Sequence, residues 1–239
     1  MDHLDIRQRF PTLRDQGLAV EFFSDYRRPP ALSPHTHAHL ELCWVRQGRA
    51  LSVIDGKEFI LEPGTLSIIN YGQSHDIRNG PERLDLVNVY LDAGLFPFPV
   101  LPEGIAEWLI PVFPLHPAFV HARNRILLVP LGDLTTVGTL LELLHAEQEG
   151  RRTGFESAMV WLFSQFLLAC GRSIRDLAES GGEANDLARQ AISQLSNPLE
   201  KIRLQIDRHP ERSFSLAELS ERYGLSPAHL CRSFKRHTG

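Results

Sequence analysis

The sequence predicts an α+β chain with three parts: an antiparallel β-barrel or sandwich over residues 1–130, helices over 131–182, and a partial all-α domain over 185–239. Three observations carry this reading. Before residue 130, short alternating or apolar runs are broken by Gly, Pro and Asn, the pattern of many short strands. After it, apolar residues recur three and four apart, the period of helices. The last segment then pairs two short capped helices around a glycine.

The strand runs are LELCWV (Leu40 to Val45), ALSVID (Ala50 to Asp55), TLSIIN (Thr65 to Asn70) and LDLVNVYL (Leu84 to Leu91). The turn signals RQG, DGK, EPG and NYG separate them. Between Phe96 and Phe119 the chain is rich in proline and apolar residues, which predicts an irregular excursion packed on the barrel.

Asp133 is placed to cap a helix carrying Leu134, Val137, Leu140, Leu141 and Leu144. A second helix is expected from near Thr153 through Glu179, with Trp161 and Phe163 as packing residues. It is apolar on more than one face. It therefore either lies buried against the barrel or pairs with its twin in a homodimer, and the two uses are compatible on different faces. Ser180 to Asp186 (SGGEAND) reads as a hinge and as the domain boundary. Beyond it, Asn197–Pro198 starts a helix with Leu199, Ile202 and Ile206 on one side, ended by Arg208–His209–Pro210.

Composition narrows the function classes. A net charge of −4 excludes a globally basic nucleic-acid coat but leaves room for a local basic patch. MDHLDIRQRF has no apolar core of a secretory signal. The most apolar stretch, Ala158 to Cys170, is shorter than a bilayer span and is interrupted by Ser164 and Gln165, so no membrane association is expected. Cys43, Cys170 and Cys231 are odd in number and widely spaced, which fits a reducing cytoplasm.

The C-terminal segment has the chemistry of a DNA reader. Ser215, with Glu218 three residues on, forms a capping box for a helix pointing Leu216, Leu219 and Tyr223 inward. Gly224 supplies the turn, and Ser226 and Pro227 open a second helix. Leu230 and Phe234 face the core, while His229, Arg232, Lys235 and Arg236 face outward with no Asp or Glu among them. This is a helix-turn-helix with a cationic outer face.

SLAELSERYGLSPAHLCRSFKRHTG resembles the first helix-turn-helix of AraC-family transcription regulators, with Ser220 where that pattern has a small alanine. The resemblance implies that Ala228, His229, Cys231, Arg232 and Lys235 contact double-stranded DNA, with Arg232 the best base reader. In that family a connecting helix and a second motif follow, whereas this chain stops at Gly239. Weak, salt-sensitive DNA binding is therefore expected of this chain alone.

At the other end, His35, His37, His39 and Glu41 alternate onto one face of an extended segment, with Leu40, Leu42 and Trp44 on the other. Polar residues inward and apolar ones outward suit a small barrel with an interior site. The spacing is similar to the two cupin motifs. His35, His37, Glu41 and Gly48 fit the first, and Gly64, Gly72, His75 and Asn79 fit the second, with Asn70 in place of its proline. In metal-binding cupins the ligands correspond to His35, His37, Glu41 and His75, a donor set suited to Zn, Ni, Fe, Mn or Cu. Six residues of straight strand cover about 20 Å, so His35 and Glu41 share one ion only where the strand bends, and His39 between them is a substitute. Three uses of these residues remain open: metal ligands, contacts to an organic effector, or structural histidines. His39, Trp44 and Arg78 are further candidates for effector contact, with Tyr71 nearby.

Taken together, the residues and resemblances imply a cytoplasmic, homodimeric regulator, not an enzyme. A cupin-like barrel senses a small polar metabolite such as a sugar. The rival class is a metal-dependent cupin dioxygenase or isomerase built on the same four residues.

Overall fold

The computed structural model describes residues 2–3, 5–29, 34–97, 102–109, 127–180, 198–208 and 212–238. Two five-stranded sheets build the N-terminal half. The smaller has the order β1 (Asp2–His3), β3 (His35–Thr36), β8 (His75–Asn79), β5 (Ala50–Ile54), β6 (Lys57–Leu61). The larger runs β10 (Leu127–Pro130), β7 (Thr65–Ile69), β4 (Leu40–Gln47), β9 (Asp85–Leu91), β2 (Leu18–Phe23). Every pairing is antiparallel except that of the short β1 with β3.

Strand β4 shows how alternation divides the fold. Leu40, Leu42 and Trp44 join a core that also holds Val87 and Val89 of β9 and Leu66 and Ile68 of β7. That core is closed by two helices, α3 (Leu134–Gly150) and α4 (Phe155–Ser180), through Val137, Leu141, Leu144, Met159, Phe163, Phe166, Leu167 and Ile174. The alternate residues Glu41, Cys43 and Val45 point between the sheets. There Cys43, Val45, Ala50, Leu61, Ile77, Leu84, Leu86 and Leu128 make a second apolar cluster. The lumen is therefore apolar at the Val45 end and polar at the Glu41 end.

Asp133 caps α3 as its position predicts, accepting from Thr136 N at 3.0 Å. The expected irregular stretch after Phe96 contains a helix, α2 (Glu103–Leu109), packed on α4. Most of the rest of that stretch lies outside the described residues, as does the expected hinge beyond Ser180. Helix α4 is longer than the apolar run inside it. Phe155–Leu177 has the length and mean hydropathy (1.2) of a membrane-crossing helix, but its Phe163 stripe lies in the core. Trp161 does not pack as expected: it is 70% exposed, because Phe163 and Phe166 already fill the face turned to the sheet.

The C-terminal helices α5 (Pro198–Arg208), α6 (Leu216–Tyr223) and α7 (Pro227–Thr238) surround a small core of Ile202, Leu219 and Leu230. Leu199, Ile206, Phe214, Tyr223, Leu225 and Phe234 pack around it.

Candidate functional site

The segment from His35 to Glu41 is not one strand. It leaves β3 after Thr36, turns through residues 37–39, and re-enters the other sheet at Leu40. The bend removes the distance problem that a straight strand poses. All four alternating residues remain buried. His75 joins them from β8, directly opposite His35 in the ladder.

Ligand atoms of His37, Glu41 and His75 all lie within 4.8 Å of one another. His37 Nε2 stands 3.5 Å from Glu41 Oε2, and His75 Nε2 stands 3.6 Å from Glu41 Oε1. Two atoms bound to one ion at about 2.1 Å each sit about 3–3.5 Å apart, so this spacing is that of a nearly closed metal site. His37 Nδ1 donates to the His39 carbonyl at 2.7 Å, which turns Nε2 toward Glu41. His37 Nε2 and His75 Nδ1 are buried and have no hydrogen-bond partner among the described residues. Burial opposes the charge on Glu41, yet the His75 and His37 imidazoles hold its carboxyl well below the usual range. A buried carboxylate between two imidazoles, with a ring nitrogen of each within 3.6 Å of it, is a donor set that fits a divalent transition metal.

His35 stands beside that trio and not within it among the described residues. Being paired across from His75, its ring lies beside that ring at a centroid distance of 4.3 Å and 6.2 Å from that of His37. His39 stacks on His37 at 4.1 Å and meets Tyr90 edge-on at 5.5 Å, so it walls the site. Two further candidates are placed away from the trio. Trp44 faces away from the lumen: its ring lies 3.5 Å from where a Cβ on Gly138 of α3 would sit. Arg78 is on the opposite face of β8 from His75, half-exposed and paired with Asp76 at 3.2 Å and Glu58 at 3.4 Å. Tyr71 accepts from Ala93 N at 3.1 Å at the edge of the helix-facing core.

Sequence reasoning missed the residues behind Glu41. Asn88 Nδ2 donates to Glu41 Oε1 at 3.0 Å and reaches Tyr90 Oη at 3.2 Å. Tyr90 donates to Glu21 Oε2 at 2.9 Å, and Arg9 pairs with Glu21 from outside. Burial raises the Glu21 carboxyl against the Tyr90 bond and the Arg9 charge, and burial with the charge of Glu41 raises the Tyr90 phenol strongly. Cys43, next inward on β4, is pushed well up by burial and then by Glu41, so its thiol stays protonated.

The His39 imidazole is depressed from 6.5 to about 3, by burial first and then by His37. An unfolded chain therefore binds a proton that the folded chain refuses between those two values. Stability is full above pH 6.5 and falls as pH drops through that window, at about 1.4 kcal/mol per unit. With chelator present, His39→Gln is expected to flatten the fall in urea midpoint between pH 6.5 and 5. An unchanged slope contradicts this assignment.

The second candidate surface is the outer face of α7. Ser215 caps α6, accepting from Glu218 N at 3.1 Å. The reciprocal half of the capping box is replaced: the Glu218 carboxylate pairs with Arg212 at 3.1 Å. Leu216, expected inward, is 41% exposed because it opens the helix ahead of the Leu219 stripe. Gly224 closes α6 with φ of 65° and donates its N–H to the Glu221 carbonyl, the left-handed turn the motif needs. Ser226 receives His229 N at 3.3 Å. Ala228, His229, Cys231, Arg232, Lys235 and Arg236 are all exposed, and His229 Nε2 lies 3.3 Å from Ser233 Oγ. The cationic face is thus exposed among the described residues.

No curated protein matches the chain. Among solved structures, it is similar to the plu4264 protein from Photorhabdus luminescens at 21% identity (TM-score 0.26), over 33% of this chain and 65% of that one. It is similar to a Cupin 2 conserved barrel domain protein from Leptotrichia buccalis at 21% identity (TM-score 0.29), over 32% and 36%. The chain thus spans less than two thirds of the length of either. Apo ToxT from Vibrio cholerae is similar at 10% identity (TM-score 0.40), over 92% and 93%. Residues 18–98, roughly a third of the chain and the stretch that carries the buried trio, match the family model of the AraC-like ligand binding domain.

Proposed function

We propose that the chain is a ligand-responsive transcription regulator of the AraC type. Its barrel takes a divalent transition-metal ion, or a small polar effector seated on the same residues, and its C-terminal helix-turn-helix reads duplex DNA. The observation that carries the reading is the convergence of His37, Glu41 and His75 inside a segment matching a ligand-binding domain. His37 and His75 would supply neutral imidazoles and Glu41 a carboxylate. A bound ion would add Lewis-acid character and a firm anchor for an oxygen-bearing effector. His39 and Tyr90 wall the site, and Asn88 orients Glu41. Residues 131–180 supply the helical layer, whose exposed Trp161 is offered as part of a homodimer face. The three free cysteines agree with a cytoplasmic setting.

Elemental analysis and a Co2+ titration test the barrel. One ion per chain is expected. Glu41→Gln and His75→Ala are expected to weaken binding by more than the about 10–100-fold typical of outer-shell changes. Metal uptake indifferent to both substitutions contradicts the site. Duplex binding by fluorescence anisotropy tests the other end. Arg232→Ala is expected to cost about 1–3 kcal/mol on a preferred sequence, and Lys235→Ala to reduce the salt slope by about one. The same trio also has the two-histidine, one-carboxylate composition of an oxygenase centre, so an enzyme is the second reading. Turnover of an oxidisable substrate by the Fe(II)-loaded chain, with no DNA binding, would favour that one.

A further inference from the structure

Strand β2 joins the barrel site to the helical layer through two consecutive residues. Glu21 faces the lumen and ends the hydrogen-bonded series that begins at Glu41 and passes through Asn88 and Tyr90. Val20, one residue earlier, turns its backbone groups to the other side, away from β9. There Gln148, in the last turn of α3 and only 5% exposed, accepts Val20 N–H on Oε1 at 2.8 Å. Gln148 Nε2 donates to Val20 O at 3.0 Å, and Thr12 Oγ1 donates to the same Oε1 at 3.3 Å. One side-chain amide thus does for Val20 what a neighbouring strand would do.

The geometry matters because the Val20 carbonyl and the Glu21 N–H belong to one rigid peptide plane. On one side of that plane Gln148 holds the carbonyl; on the other, Glu21 is paired in the ladder with Asn88, whose side chain holds Glu41. Each of these bonds is buried, and leaving any member unpaired is costly. A change at the Glu41 carboxylate is therefore passed on rather than absorbed. Strand β2 is also the margin of its sheet, with β9 on one side and α3 and α1 (Pro11–Gln16) against it, so it can shift without breaking a second ladder.

We propose that Gln148 is the latch through which helix α3 reads the state of the barrel site. Engagement of Glu41 by a ligand loosens its bond from Asn88, the Tyr90–Glu21 bond resets, and the Val20–Glu21 peptide turns. The Gln148 clamp then slackens, releasing the end of α3 that leads into α4. This rests on the reading of the barrel as a ligand site.

Amide hydrogen exchange on the full chain tests it, with Co2+ as the probe ion. Glu41→Gln is expected to speed exchange of the Val20 amide about tenfold and to leave the Leu128 amide, at the far margin of the same sheet, unchanged. Co2+ is expected to alter Val20 exchange in the native chain but not in Gln148→Glu or Gln148→Met. By reciprocity both Gln148 variants, which have no clamp left to open, are expected to tighten Co2+ binding about fivefold. Val20 exchange indifferent to Glu41→Gln overturns the latch, whatever Co2+ does. Should Co2+ fail to bind while Glu41→Gln still speeds Val20, the metal reading is lost and the latch stands.

Discussion

Phe163→Ala is expected to destabilise the N-terminal half of the chain by about 3–5 kcal/mol, the range for removing a fully buried aromatic ring. Phe163 has no exposed surface. Its ring meets Phe96 edge-on at 5.2 Å and stacks on Phe166 at 5.8 Å. It thereby joins α4 to the turn after β9 within the core beneath the larger sheet. Rings on either side are already engaged, so the space left behind cannot be refilled by rotation of a neighbour. Trp161→Ala, two residues away on the exposed face, is the matched control, and it is expected to stay within about 0.5 kcal/mol. Urea unfolding followed by circular dichroism separates the two. Equal shifts in midpoint would mean that α4 does not pack on the sheet through Phe163.

Gly48→Ala is expected to cost about 2–5 kcal/mol, from left-handed backbone strain and displacement of a packed neighbour together. Gly48 turns the chain from β4 into β5 with φ of +82°, a region that side chains disfavour. A Cβ there would sit 2.1 Å from the Arg83 carbonyl oxygen and 3.2 Å from Leu84 Cα. The obstacle is backbone, so it cannot swing aside. The segment it would push carries Leu84 and Leu86 of the lumen cluster. Gly56→Ala is the control for strain without contact: φ is +77° and nothing lies within 4 Å of its Cβ position. If both substitutions cost the same in a urea titration, close approach to Arg83 contributes nothing.

Much of this architecture was legible because alternation and capping are local. LELCWV split into an inward and an outward set as read, and Asp133, Ser215 and Gly224 each ended or began a helix where their chemistry places them. The site was legible only in part. A period of two says which residues share a face, but not that the chain leaves one sheet at Thr36 and enters the other at Leu40. His35 and His37 therefore read as equivalent, although of the two it is His37 that groups with Glu41 and His75. Trp44 looked like a ligand contact because an aromatic near a site invites it, yet its own parity with Leu40 and Leu42 put it under α3. Arg78 has the opposite parity to His75, which places it on the other face of β8. In LDLVNVYL, Asn88 and Tyr90 alternate with Val87, Val89 and Leu91, and that polar set was the available signal for the residues behind Glu41. Glu21 and Gln148 gave none, since their partners lie 69 and 128 residues away in the chain.

The amide of Gln148 has one more effect, on solubility. In the antiparallel pattern, Leu18, Val20 and Phe22 send their N–H and carbonyl groups off the outer rim of β2, and such a rim is a template onto which a stray chain can zip. The middle of those three positions is occupied by Gln148. An intruding segment would have to expel the glutamine before it could gain a continuous run of bonds, which guards this rim against edge-to-edge association.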